Sequence, residues 1–172
     1  MLLWTPTIRV AGSYASGDDG KGAYKQFDPL LADPQRFHGQ MDLFSWSNQI
    51  DAGGRVELVP FTDGTVGLEY RYARLAESRG EWIGSYLTSV GSTTTPPVAT
   101  TTPATQPVTT ANELGHEIDV VVAYRPWVPL ELRAGWSGLV LGDAAKGIMA
   151  AHRRGTPDLA QYAYLQATLT IP

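Results

Sequence analysis

Apolar and polar residues alternate with a period of two along six stretches of the chain, and helical periodicity is nearly absent. The first run sets Ile8, Val10, Gly12 and Tyr14 against Arg9, Ala11, Ser13 and Ala15. The second sets Ile50, Ala52, Val56 and Leu58 against Asp51, Arg55 and Glu57. Phe44 and Trp46 extend its apolar parity upstream, and Asn48 interrupts it at an expected bulge. In the third, Val66, Leu68, Tyr70 and Tyr72 oppose Gly67, Glu69, Arg71 and Ala73. In the fourth, Ile118, Val120, Val122 and Tyr124 oppose Glu117, Asp119 and Arg125. The fifth places Leu130, Leu132, Ala134, Trp136 and Val140 opposite Glu131, Arg133 and Ser137, and the sixth places Leu165, Ala167, Leu169 and Ile171 opposite Tyr164, Gln166, Thr168 and Thr170. Most runs are about the 9–11 residues long that a tilted membrane strand requires. The pattern predicts an all-β chain, an antiparallel up-and-down meander of about six strands belonging to a transmembrane β-barrel of porin type.

The connections carry a second signal, because long ones alternate with short ones. Residues 17–40, 79–114 and 142–158 are long, whereas Phe61-Thr62-Asp63-Gly64 and Pro126-Trp127-Val128-Pro129 are tight turns. Outer-membrane barrels combine short periplasmic turns with longer extracellular loops, so the three long segments are expected outside the cell and both chain ends on the periplasmic side. Residues 92–110 are a low-complexity Thr/Pro stretch with no charge and little to bury, which predicts an extracellular loop without regular structure. Residues 143–154 (DAAKGIMAAHRR) predict a short helix that Gly147 weakens.

Composition narrows the function more by exclusion than by direct evidence. The chain has 172 residues, 43% of them hydrophobic, yet no apolar run reaches the roughly 18 residues of a membrane helix. A net charge of −4 with only 13 Lys and Arg gives no basic field for nucleic acid. Cysteine is absent, which removes disulfides and thiolate chemistry. The opening residues lack a basic segment followed by an apolar run and a cleavage site, so a leader removed on export, or a longer upstream reading frame, is expected.

Two blocks, GSYASGDDGKGAYKQFDPLL and RFHGQMDLFSWSNQIDAGGRVEL, resemble the alginate export family of outer-membrane barrels, in which a Gly/Asp-rich loop leads through F-D-P-L to a D-L-F-x-W-x-N strand. Gly115-His116-Glu117-Ile118-Asp119, the pair Gly142-Asp143 and Tyr164-Leu165-Gln166-Ala167-Thr168 are similar to further parts of that family. Family members are longer barrels, so the resemblance implies the carboxy-terminal portion of one, joined to the remainder of a larger barrel. It also implies a bacterial outer-membrane location and passive export of an anionic, alginate-like polysaccharide.

The charged parity is where chemistry is expected. With the apolar parity toward outer-membrane lipid, Arg9, Arg55, Arg71, Arg125, Arg133, Glu57, Glu69, Asp119 and Glu131 line the pore, together with Asp51 and Glu117. Arg9, Arg55 and Arg133 fall at similar depth counted from the short turns, with Arg71 slightly deeper. Such a set of guanidinium groups can grip the carboxylates of an acidic polymer. The competing reading is an Arg/Glu ladder that braces the barrel wall. Trp4, Tyr14, Tyr124, Trp127 and Trp136 are expected in interfacial aromatic girdles. Asp18-Asp19-Gly20 matches part of a calcium loop but reads as a polar turn, and His38, His116 and His152, each in or beside a predicted loop, share no ligand spacing, so neither metal nor cofactor is expected. The main nucleophile and nucleotide motifs are missing, and no enzyme is expected. The alternatives are a general diffusion channel for small polar solutes, a small soluble β-barrel binding module, and a hydrolase using His38, His116, Asp18 and Asp19 at the outer rim.

Overall fold

The computed structural model describes residues 4–30, 39–92, 111–151 and 155–171. Their main feature is an antiparallel sheet in which sequential order is also spatial order. Its strands are β1 (Thr7–Ala15), β2 (Gln49–Phe61), β3 (Gly64–Leu75), β6 (Glu113–Trp127), β7 (Leu130–Leu141) and β8 (Leu159–Leu169). A hairpin of β4 (Glu81–Ile83) and β5 (Ser89–Ser92) and the helix α1 (Asp143–Ala151) lie within the long connections. The chain is therefore all-β in character with one helix. The six-stranded sheet is open, with β1 and β8 at its edges, and does not close on itself.

The strands follow the period-two runs, and each is longer than its run at one end or both, except β1, which adds only Thr7, and β8, which starts five residues early at Leu159 and ends at Leu169. The two tight turns lie where expected, with Asp63 at φ 61° in the β2–β3 turn, a conformation its short polar side chain tolerates. Two expectations need correction. Phe44 and Trp46 do not extend β2. Asn48 is no bulge: at φ 51° it turns the chain before β2, fully buried, with its amide bonded to the Glu77 and Glu81 carbonyls and its oxygen accepting from the Glu77 amide. The connection at 79–114 also contains the β4–β5 hairpin, which no alternation signalled. The predicted helix is present through Ala151. His152, Arg153 and Arg154, His38, and residues 93–110 of the Thr/Pro stretch lie outside the described residues.

The sheet's two faces differ in chemistry. Ile8, Val10 and Tyr14 of β1, Leu68 and Tyr70 of β3, Ile118, Val120, Val122 and Tyr124 of β6, Leu132 and Trp136 of β7, and Leu165 of β8 all stand exposed on one face, with Val10 and Leu165 each 84% accessible. The other face carries the charged parity, and there Asp51, Arg71, Glu117 and Asp119 are buried. The apolar core sits at the long-connection end of this charged face. Ala144, Ala145 and Ile148 of α1 pack with Phe44, Leu75, Trp82, Leu114, Leu139 and Leu141. Phe44 stacks on Trp82 at 5.9 Å, and the Trp82 indole donates to the Leu43 carbonyl. The long connections thus fold back over the sheet.

Candidate functional site

The register lines up the charged residues. Arg9, Arg55, Glu69, Asp119, Ser137 and Tyr162 form one row across all six strands, and Gly53, Arg71, Glu117, Leu139 and Ala160 form the next row toward the long connections. On β2 and β3 the charges form a continuous ladder. Arg55 pairs with Glu57 at 2.9 Å and with Glu69 at 3.6 Å, and Arg71 pairs with Glu69 at 2.9 Å and with Asp51 at 2.6 Å. Asp51 also accepts from the Ser13 hydroxyl, which ties in β1. Near the short turns Arg125 pairs with Glu131 at 2.7 Å, beside a depression of about 330 Å³ lined by Val59, Thr62, Asp63 and Tyr124.

All nine expected pore-lining residues lie on this one face, but they do different work. Arg55, Arg71, Glu57 and Glu69 hold one another, the bracing arrangement weighed above. Arg9 lies directly across from Arg55. Arg133 does not share that row: it pairs with Ala123 and Gln166, four residues along β7 from Ser137. Among the described residues, Arg9 and Arg133 have no carboxylate partner.

Glu117 and Asp119 are neighbours on this face, each 1% exposed. Residues 39–41 cross directly over them. The Met41 amide donates to Glu117 Oε1 at 3.1 Å, and the Gln40 side chain accepts from the Tyr164 hydroxyl on β8. A side chain at position 39 would meet the Glu117 carboxylate at 2.4 Å, and φ there is +90°, so only glycine fits this crossing. The Ser137 hydroxyl and the Gln40 amide face Asp119, the Gln40 amide also reaches Glu117, and the two carboxyls meet one another. The alternation signalled that these side chains share a face. The crossing segment that buries them comes from a long connection and had no signal in the pattern.

The apolar face has its own order. Phe61, Tyr124 and Trp127, with Trp4, gather at the short-turn end, and Phe61 meets Tyr124 edge-on at 5.7 Å. Tyr14, Tyr70, Tyr72 and Trp136 lie toward the long connections, and aliphatic residues fill the space between. His116 also belongs here, near the start of β6 beside the long connection. Gly115, at φ +145°, bends β6 so that Glu113 and His116 share the outer face. His116 Nδ1 meets the Tyr70 hydroxyl at 2.7 Å and Nε2 meets Glu113 at 2.9 Å. Asp19 is engaged elsewhere, with the Lys21 amide and Lys25, which hold its carboxyl below the usual range, so it serves a polar turn. No group of three or more His, Cys, Asp or Glu side chains with metal-holding geometry occurs among the described residues, and none of their helices is long and apolar enough to cross a membrane. Compared with protein-family models the chain matches none, and no curated protein matches it either.

Proposed function

We propose that the chain is part of the wall of a bacterial outer-membrane β-barrel channel. The observation that carries this reading is the inverted sheet, apolar side chains outward between two aromatic groups and charges inward. A protein surface facing water rarely exposes so large a contiguous apolar face. A lipid-facing wall needs one, and it needs the aromatic residues at the two interfaces. The height fits. Eight residues separate Tyr124 from His116 on β6, which is about 26 Å along the strand and about 20 Å across a bilayer at a tilt near 40°, close to the ~25 Å apolar band of such barrels. The two open edges then pair with further strands of a larger barrel.

The permeant is proposed from the inner face and from the resemblance to alginate exporters. Passage is passive, and Arg9 and Arg133 offer bidentate sites for the carboxylates of an anionic polysaccharide. A second reading, a general channel for small polar solutes, is favoured by the ladder, because Arg55 and Arg71 are already neutralised by Asp51, Glu57 and Glu69. Depth-dependent quenching tests the wall itself. A single-tryptophan variant that keeps Trp127, refolded into vesicles of brominated lipids, should be quenched most by bromine near the interface. Emission unaffected by bromine at every depth, with the chain remaining in the aqueous phase, refutes the membrane assignment. Block of the single-channel current by oligouronates, and not by neutral oligosaccharides, separates the two permeants.

A further inference from the structure

We propose that Tyr162, Tyr164 and Arg133 form a saccharide subsite on the inner face of β7 and β8, where a ring of an acidic polysaccharide stacks on tyrosine while its carboxylate meets the guanidinium. The inference rests on the channel reading for its occupant and adds how the polymer is recognised. Tyr162 and Tyr164 both lie on the charged side of the sheet, across from Ser137 and Gly135. Their rings are 5.7 Å apart and inclined by only 28°, and Tyr162 is 40% exposed. Interfacial girdles do not explain these rings, because girdle residues point to lipid. No Asp, Glu, Lys or Arg occurs on β8, so its inner face is a neutral aromatic strip on the same side of the sheet as the charge ladder of β2 and β3.

Gly135 fixes the platform. A Cβ there would meet the Tyr164 ring at 2.4 Å, so the ring reaches over the bare backbone of β7. The Tyr164 hydroxyl donates to Gln40 Oε1 at 3.3 Å, which holds the ring at its far end. A ring held in this way loses little freedom when a ligand arrives. One side of a pyranose ring is a patch of C–H hydrogens, and their slight positive charge suits the negative face of an aromatic ring. Arg133 stands directly across from Gln166, which makes it a diagonal neighbour of Tyr164 on the same face, about 7–8 Å away. The ion pairs of this face engage Arg55, Arg71 and Arg125, and among the described residues none engages Arg133. Its guanidinium can therefore donate to the carboxylate of a sugar stacked beside it. Stacking plus one ion pair gives a site weak enough to release a polymer, as conduction requires.

Titration calorimetry and saturation-transfer NMR on the full chain folded in detergent test the subsite, with a uronic-acid tetramer and a neutral tetramer of the same linkage as probes. The uronate should bind more tightly, and saturation should pass to its ring C–H protons. Tyr162→Ala should weaken uronate binding about tenfold, whereas Tyr162→Phe should retain it, because the ring and not the hydroxyl is used. Arg133→Ala should lower uronate affinity about tenfold, toward that of the neutral tetramer, and leave the neutral tetramer unchanged. Absence of uronate binding by the folded wild-type chain overturns the proposal. Parental uronate affinity in either Tyr162→Ala or Arg133→Ala overturns it as well. Should Tyr162→Ala fail to fold, a tenfold loss in Tyr162→Phe is the refuting result. A chain that enters vesicles but binds no uronate refutes the subsite alone, and uronate binding by a chain that stays in the aqueous phase refutes the channel reading alone.

Discussion

Val120→Arg probes the outer face where the two environments it could have differ most. Val120 is four residues from His116 and four from Tyr124, midway between the aromatic groups, and its cross-strand neighbours are Leu68 and Trp136. In a bilayer this position is the midplane, where arginine costs about 2–4 kcal/mol, whereas at Tyr124, beside the interface, it costs about 0–1 kcal/mol. In water an exposed substitution of this kind stays within about 0.5 kcal/mol at either position. The membrane reading therefore predicts a depth profile across Val120→Arg, Val122→Arg and Tyr124→Arg. A midplane cost of about 3 kcal/mol is roughly a 150-fold change in the unfolding equilibrium. Guanidinium unfolding of the chain in phospholipid vesicles, followed by tryptophan emission, measures it. A flat series, with all three variants within about 0.5 kcal/mol of the parent, refutes burial of this face in lipid.

The remaining predictions concern the inner face, the bend in β6 and the helix. Arg71→Ala takes the guanidinium from Asp51, which is 4% exposed and keeps only neutral partners such as the Ser13 hydroxyl on β1, and should destabilise the fold by about 3–5 kcal/mol in denaturant titrations. Arg9→Ala with Arg133→Ala should cost under about 1 kcal/mol yet shift ion preference in planar bilayers at low salt toward cations. Gly115→Ala forces a Cβ to 2.2 Å from the Val140 carbonyl at a φ of +145°, and should cost about 1–3 kcal/mol or more, seen as faster amide exchange at the start of β6. The Lys146–Asp158 pair, at 2.6 Å, tethers α1: the ammonium lowers the Asp158 pKa and the carboxylate raises that of Lys146. Its contribution is present above the ordinary aspartate value and falls as pH drops through the lowered pKa. On the alkaline side it is lost as pH rises through the raised lysine pKa, so α1 amide exchange should be slowest between these limits.

The sequence alone determined the six strands of the sheet, their parity and the two tight turns, because a period of two can satisfy only an extended chain with chemically distinct faces. Ile8, Val10 and Tyr14, and Ile118, Val120, Val122 and Tyr124, were assigned to the apolar face from alternation, and they lie there. The sequence also brought Arg55, Glu69 and Asp119 to the opposite face. Which of these charges neutralise one another was decided by the tertiary register, since the Arg71–Asp51 and Arg55–Glu69 contacts depend on how β2 is staggered against β3. The stagger likewise separated Arg133 from Arg9 and Arg55. The long connections gave the least away. Phe44, Trp46 and Asn48 continued or broke an alternation that meant nothing there, because residues 39–48 fold back over the sheet and answer to the shape of its charged face. Glu117, Asp119 and Ser137 became one buried cluster only through that crossing, and no local pattern encodes a contact such as Met41 to Glu117 between segments so far apart along the chain.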